Sequence, residues 1–262
     1  MKRLREFKSL LGVLAALVLW EAMSLSGVFP RSIFPPPQMV LAAGIREFQE
    51  GLLLTHIGVS MARLFAGFLI GSVIGVLLGI LMGWVKWVEN LFNPLIEIVR
   101  PVPPLAWIPL AIFWFGIGEV SKLFMISLAV FFFVVVNTYQ GVANVDFVLI
   151  RASQSLDATR RQVLFQVILP ATMPDIATGL RLGLSIAFAL LAASELIAAK
   201  SGLGFMIMNA REMGNNDTII FGILVVGSLA VVCEYLFNLL MNKKILRWHA
   251  ALEKEREEIA VS

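Results

Sequence analysis

The residues from Arg151 to Pro174, RASQSLDATRRQVLFQVILPATMP, form a polar and basic segment between two stretches apolar enough to cross a bilayer. Within it Ala152-Ser153, Asp157, Val167 and Leu169-Pro170 are spaced as a short helix, a turn and a second helix that proline stops. That is more internal design than a spacer needs, and its chemistry is contact with another body rather than bond making. Elsewhere, residues that make bonds are arranged for nothing of the kind. His56 and His249 lie far apart and on opposite expected sides of a membrane, so they form neither a catalytic nor a metal pair. The single cysteine, Cys233, sits in an apolar run, which leaves no disulfide framework and no thiolate metal site within one chain. No G-x-x-x-x-G-K-[ST] loop occurs to cradle ATP phosphates, and no H-E-x-x-H. No Ser/His/Asp set has a workable membrane placement. We therefore expect no catalytic residues, no metal site and no enzyme.

Charges inside apolar runs need individual weighing, because each costs about 2.5–3.5 kcal/mol at a helix centre unless paired or wetted. Glu195, in Ala193-Ser194-Glu195-Leu196, falls late in the fifth apolar stretch; it either bonds a neighbouring helix or lines a path. Glu21 and Glu234 are expected near polar ends, and Arg181 can snorkel to the surface. The apolar stretches hold no chain of carboxylates or histidines and no inverted repeat, so ion coupling by this chain alone has little support.

These residues must be positioned by a membrane protein. Of 262 residues, 59% are hydrophobic and 15% charged, and mean hydropathy is +0.87; a soluble domain is about half apolar and a quarter charged. Apolar runs near 9–29, 64–85, 101–118, 121–142, 176–199 and 218–241 predict six spans, all helical. The start MKRLREFK-SLLGVLAALVLW lacks a small-x-small cleavage site, so the first run is expected to stay as an uncleaved span. Six spans put both termini on one side. With the N-terminus inside, Lys2, Arg3, Arg5, Lys8, Lys86, Arg100, Arg151, Arg160, Arg161, Arg181, Lys243, Lys244, Arg247, Lys254 and Arg256 are internal, which is 15 of the 21 basic residues. Arg31, Arg46, Arg63, Lys122, Lys200 and Arg211 make up the other 6. The positive-inside rule then places both termini and the Arg151–Pro174 segment in the cytoplasm. It also explains the net charge of +3 without nucleic acid.

Three further features shape the frame. Gly67, Gly71, Gly75, Gly79 and Gly83 recur every four residues along one face of the second run. In lipid such a stripe lets backbones approach, either within the chain or at a subunit or gating contact. The stretch Arg100-Pro101-Val102-Pro103-Pro104-Leu105-Ala106-Trp107-Ile108-Pro109 removes four backbone donors. Broken backbone at membrane depth persists only where protein or a wet cavity satisfies it, so this is a kink or a path lining. Residues 30–60 form the long outer connection, extended and proline-stiffened through PRSIFPPPQMV and then amphipathic and helical to about Gly51; Lys243–Glu258 is expected to be a charged helix.

The Arg151–Pro174 segment resembles the EAA loop of inner-membrane permeases of bacterial ABC importers, whose motif runs E-A-A, three residues, G, nine residues, I-x-L-P. Here the frame reads Arg151-Ala152-Ser153, three residues, Asp157-Ala158, and on to Val167-Ile168-Leu169-Pro170. RPVPPLAWIPLAIFWFGIGEVSK (100–122) and ASELIAAKSGLGFMIMNA (193–210) are similar to the sulfonate/nitrate/taurine permease group, with the taurine branch nearest. Two departures stand out. Arg151 replaces the usual glutamate, as the taurine-like branch allows, and Asp157 replaces a glycine that permits positive φ; aspartate tolerates that conformation and can cap the following helix.

The resemblance implies a type I importer fold, all-α and polytopic. It makes 1–262 a single transmembrane domain with its core at 55–245 and a coupling loop at 147–174. Two permease subunits, expected to be identical, would surround the solute path. Each would receive a cytoplasmic ABC ATPase that binds ATP and Mg, with no cofactor in this chain. A periplasmic or lipid-anchored binding protein would deliver a small anion, with taurine or another aliphatic sulfonate first and nitrate an alternative. The coupling loop would engage the ATPase through Arg151, Ala152, Ser153, Asp157, Ala158, Val167, Leu169 and Pro170. Glu195, Pro103, Pro104, Trp107 and Asn137 are the expected path residues, by polarity, aromaticity or backbone breakage at suitable depth. Readings from other classes are a self-sufficient ion-coupled carrier and a membrane anchor without flux.

Overall fold

A computed structural model describes residues 2–28 and 30–241. The chain runs α1 (Lys2–Leu25), α2 (Pro37–Gln49), α3 (Leu52–Trp84), α4 (Lys86–Val99), a 3-10 turn at Pro104–Trp107, α5 (Ile108–Phe115), α6 (Glu119–Ala143) and α7 (Phe147–Ser155). It continues through α8 (Arg160–Gln162), a π turn (Val163–Ile168), α9 (Leu169–Ala198), α10 (Leu203–Met213) and α11 (Asn216–Leu240). Among the described residues four helices are long and apolar enough to span a membrane: Leu52–Trp84, Glu119–Ala143, Arg160–Ile197 and Asn216–Leu240. Lys86–Val99 with Pro104–Phe115 adds a pair bent by 93°, and Leu14–Leu25 is a shorter apolar helix. The tail expected as a helix over Lys243–Glu258, including His249, lies outside the described residues.

Two compact units are present. One holds the chain up to Ser60 together with Glu195–Ser228; the other holds Met61–Ser194 and the chain from Leu229 on. In the first unit the proline-stiffened connection gives up its carbonyls to α1: Ser24 Oγ donates to Phe34 O at 2.8 Å and Trp20 Nε1 to Pro35 O at 3.1 Å. Proline then opens α2 at Pro37, where a missing N–H costs nothing. Gly51, at φ 74°, turns the chain into α3.

In the second unit the core gathers Leu64 of α3, Met125, Ile126, Val130 and Val134 of α6, and Leu184, Phe188 and Leu191 of α9. The glycine stripe makes the α3–α6 contact close. A β-carbon at Gly67 would lie 2.7 Å from Ile126 Cβ, at Gly75 2.9 Å from Val134 Cβ, and at Gly79 2.6 Å from Thr138 Cβ. Gly71 and Gly83 face Ser127 and Val142 in the same way. The stripe is thus packed within the chain, where backbone approach replaces the hydrophobic drive that lipid cannot supply.

Three expectations are corrected. The span expected at 101–118 is not one helix. Prolines 101, 103 and 104 break the ladder after Arg100, and the chain continues as a 3-10 turn and the eight-residue α5, ended by Gly116 at φ 73°. Eight residues rise only about 12 Å, so α5 cannot cross an apolar layer of about 30 Å alone. The second span begins at Leu52 rather than 64, because α3 is a 33-residue helix. The helix after the turn is not stopped by proline. Pro170 and Pro174 lie inside a helical run that reaches Ala198. The ring of Pro170 would clash with the carbonyl four residues back, which is Gln166, and Gln166 lies in the widened π turn that accommodates it.

Candidate functional site

The polar segment forms an elbow. Asp146 caps α7 by accepting the Val148 amide at 2.8 Å. The chain then reverses at Asp157, whose φ of 57° is the one positive value at a non-glycine residue among the described residues. Aspartate keeps the left-handed turn for which the related motif uses glycine. It does not cap the next helix, contrary to expectation. Thr159 does: its hydroxyl accepts the Gln162 amide while Gln162 Oε1 accepts the Thr159 amide at 2.8 Å, a capping box.

Val163 and Ile168 bury against Val142, with Ala158 packed beside them, so the elbow is rooted in the end of α6. Gly141 brings this end of α6 against Thr172 and Asp175 of α9. The other face is open. Arg151, Ala152 and Asp157 are exposed, Ser153 and Val167 are half-buried, and so are Leu169 and Pro170. Arg151 lies over the Phe147 ring at 4.4 Å. Apolar side chains that the sequence reading passed over stand out on the elbow: Leu156, 83% exposed beside the turn, Val148, 68% exposed, and Phe165, 65% exposed. An apolar residue within a polar run was the signal available for Leu156; Phe165, inside the run VLFQVIL, carries no such signal. Beneath the elbow a hollow of about 420 Å³ is lined by Trp84, Lys86, Ile150, Gln154, Ala158 and Arg160 among others.

A larger cavity, about 520 Å³, lies at the α4–α5 break. Pro103, Pro104 and Trp107 line it from the break and Asn137 from α6, so four of the five expected path residues meet there. Phe132, Phe133, Leu182 and Ile186 make much of the remaining wall apolar. Arg100 and Gln140, which sequence reasoning left out, also line it. For Arg100 the signal available was a full charge at the head of the proline-broken stretch.

The fifth residue, Glu195, is engaged in the first unit and is 1% exposed. Its carboxylate accepts the Ser60 hydroxyl, 2.8 Å from each oxygen, and the Gly204 amide at 2.9 Å. Ser60 Oγ in turn accepts the Leu203 amide at 2.8 Å, and His56 Nδ1 accepts that of Gly202 at 3.1 Å. These are the first amides of α10, so the carboxylate stands where a helix end favours an anion. Gly202, at φ 121°, brings the chain so close that a β-carbon would collide with that carboxylate.

Back in the second unit, buried Arg63 and Lys122 share the half-exposed carboxylate of Glu119, at 2.5 and 2.9 Å. Ser185 donates to Glu234 across α9 and α11. Among the described residues no group of three or more His, Cys, Asp or Glu could hold a metal ion.

Comparison with known proteins fits this geometry. Residues 71–245 match the family described as binding-protein-dependent transport system inner membrane component, and the chain belongs to it. It is 40% identical over 250 residues to the taurine transport system permease protein TauC of Escherichia coli K12, covering 93% of this chain and 90% of the relative. It is 34% identical over 252 residues to a putative aliphatic sulfonates transport permease protein, SsuC, of Bacillus subtilis 168, covering 96% and 91%. Among solved structures, an inward-facing form of the MetNI methionine ABC transporter superposes with a TM-score of 0.63 at 22% identity, over 76% of this chain and 97% of that one. The fold is that of a type I ABC importer permease, and the protein is a membrane-embedded transport component of an ABC importer.

Proposed function

We propose that this chain is the permease of an ATP-driven importer for a small organic anion, taurine or another aliphatic sulfonate. It pairs with a second permease subunit, and each subunit receives one cytoplasmic ABC ATPase. A periplasmic or lipid-anchored protein delivers the solute. ATP and Mg are held by the ATPases; this chain supplies no site for them. Its termini face the cytoplasm, in keeping with the 15 to 6 division of basic residues.

One observation carries the reading: an elbow with a buried root and an apolar tip. Val163 and Ile168 fix the root on α6, while Leu156 offers the ATPase an exposed anchor. A flexible loop would absorb a push. This one passes it through the π turn directly into the helix that runs on to Ala198. ATP favours the closed ATPase pair, and the differential contact at Leu156 biases the spans toward one of two arrangements. The solute passes Pro103, Pro104, Trp107 and Asn137 at the break, where the irregular backbone lines a cavity rather than lipid. Glu195 serves this by holding the first turn of α10.

The taurine and sulfonate permeases among the relatives support the substrate class. Uptake of labelled taurine by cells expressing the chain with its ATPase and binding protein tests it. Saturable uptake, competed by alkanesulfonates, is expected. Background uptake of all these sulfonates, with the complex present in the membrane, overturns the substrate assignment.

A further inference from the structure

The Arg100 guanidinium stands at the α4–α5 break, on the wall of the larger cavity. Among the described residues it has no ion-pair or hydrogen-bond partner. Arg63 and Lys122 of this unit are buried on Glu119 and Lys86 pairs with Glu89 at 2.9 Å, whereas Arg160, Arg161 and Arg181 are exposed like Arg100; what sets Arg100 apart is the cavity it lines. Among the described residues the cavity's lining holds no carboxylate, since its polar side chains are Arg100, Asn137 and Gln140 and its remaining walls are apolar or aromatic. The one full charge among those lining residues is therefore positive. An arginine beside apolar surface is stable when an anion or water satisfies its planar donors, and it matches a multi-oxygen anion better than lysine does.

The end of α4 supplies only a partial negative charge to its last turn. The nearest carboxylate in sequence, Glu97, opens on a different space. A smaller pocket of about 160 Å³ is lined by Asn93, Glu97 and Tyr139, and it shares Arg100 and Gln140 with the larger cavity. Asn93 Nδ2 donates to Glu97 Oε1 at 2.9 Å. Arg100 and Gln140 thus stand between one compartment without an acid and one with an acid. Anions are favoured on the first side and repelled on the second.

We infer that Arg100, with the Gln140 amide beside it, is the anion subsite of the path, receiving the sulfonate or similar oxyanionic head of the solute. Trp107, Phe132 and Phe133 line the same cavity, and aromatic rings suit the ammonium of a zwitterion such as taurine. The inference rests on the transport reading and on this cavity being the path. The subsite selects by charge in the permease itself, after the binding protein has released the solute.

Its test uses proteoliposomes holding the full complex, with binding protein and labelled taurine. Arg100→Gln should lower uptake at least tenfold while ATP hydrolysis continues, and Arg100→Lys should recover a sizeable part, because charge is kept and the fork is lost. Asn137→Trp, which fills the cavity, should block uptake. If Asn137→Trp blocks but Arg100→Gln transports within twofold of the parent, the subsite is wrong and the path stands. If Asn137→Trp also transports normally, the path reading fails and the subsite with it. If Arg100→Gln and Arg100→Lys both lose uptake and ATP hydrolysis together, Arg100 acts in folding or coupling, and the inference is overturned.

Discussion

Ser60 donates its hydroxyl to the buried carboxylate of Glu195, 2.8 Å from both oxygens, and accepts the Leu203 amide on its own oxygen. The pair closes the turn between α9 and α10 by satisfying amides that a helix start leaves open. Glu195→Ala removes the acceptor for Gly204 and Ser60, at about 1–3 kcal/mol for each buried group left unmade. The expected result is a melting temperature lower by several degrees for the purified complex. Glu195→Gln, which keeps one acceptor oxygen, should lose less. An unchanged melting temperature in Glu195→Ala would remove the structural role assigned here.

Gly79 approaches α6 so closely that a β-carbon would stand 2.6 Å from Thr138 Cβ, whereas nothing lies within 4 Å of a β-carbon at Gly58. Gly79→Leu should therefore part α3 from α6, at a cost exceeding the roughly 1–3 kcal/mol typical of overpacking, and fail to accumulate in the membrane. Gly58→Ala should accumulate like the parent. Equal accumulation of the two variants, measured by immunoblot of membrane fractions, contradicts the packing account.

Asp157 holds φ at 57°, a conformation that costs a β-branched residue roughly 1–2 kcal/mol more than it costs glycine. Asp157→Gly should keep uptake at the parental level or above. Asp157→Val should reduce it by deforming the turn beside Leu156. Uptake rates of the two variants at matched expression decide this, and parity between them argues against a conformational demand at the turn.

Leu156 is the most exposed large apolar side chain of the elbow. Leu156→Asp should cut co-purification of the ATPase strongly, as should Ala152→Arg, without loss of membrane insertion. Leu169→Asp should act more weakly on docking, because Leu169 is half-buried where α9 begins. A Leu156→Asp complex that retains its ATPase in full would place the docking surface elsewhere.

Much of this was legible in the sequence because apolar length and motif spacing are local properties. The elbow and the proline break come from residue types read in order, and the positive φ at residue 157 from the glycine that the resembled motif carries there. The direction of the chain after a break does not. Hydropathy registers 101–118 as a span because it sums apolar side chains, while the 93° bend between α4 and α5 depends on where broken backbone finds partners. Pro170 reads as a stop because the π turn that accommodates its ring has no residue signature of its own. Thr159 outcompeted Asp157 as the cap, since a residue in the left-handed turn leaves the cap position to a neighbour in extended conformation. Glu195 could be flagged as buried, but its partners, Ser60 and the α10 amides, came from 135 residues away and from a helix whose start only the fold reveals.

The account stands or falls on where the driving energy enters. Proteoliposomes containing the purified permease should be loaded with ATP and Mg, supplied with binding protein and taurine outside, and prepared with and without the ATPase. The account predicts concentrative taurine uptake with the ATPase present and none without it, and loss of that uptake in Leu156→Asp. Undiminished uptake from the permease alone, following an imposed ion gradient, would make it a self-sufficient carrier and contradict the account.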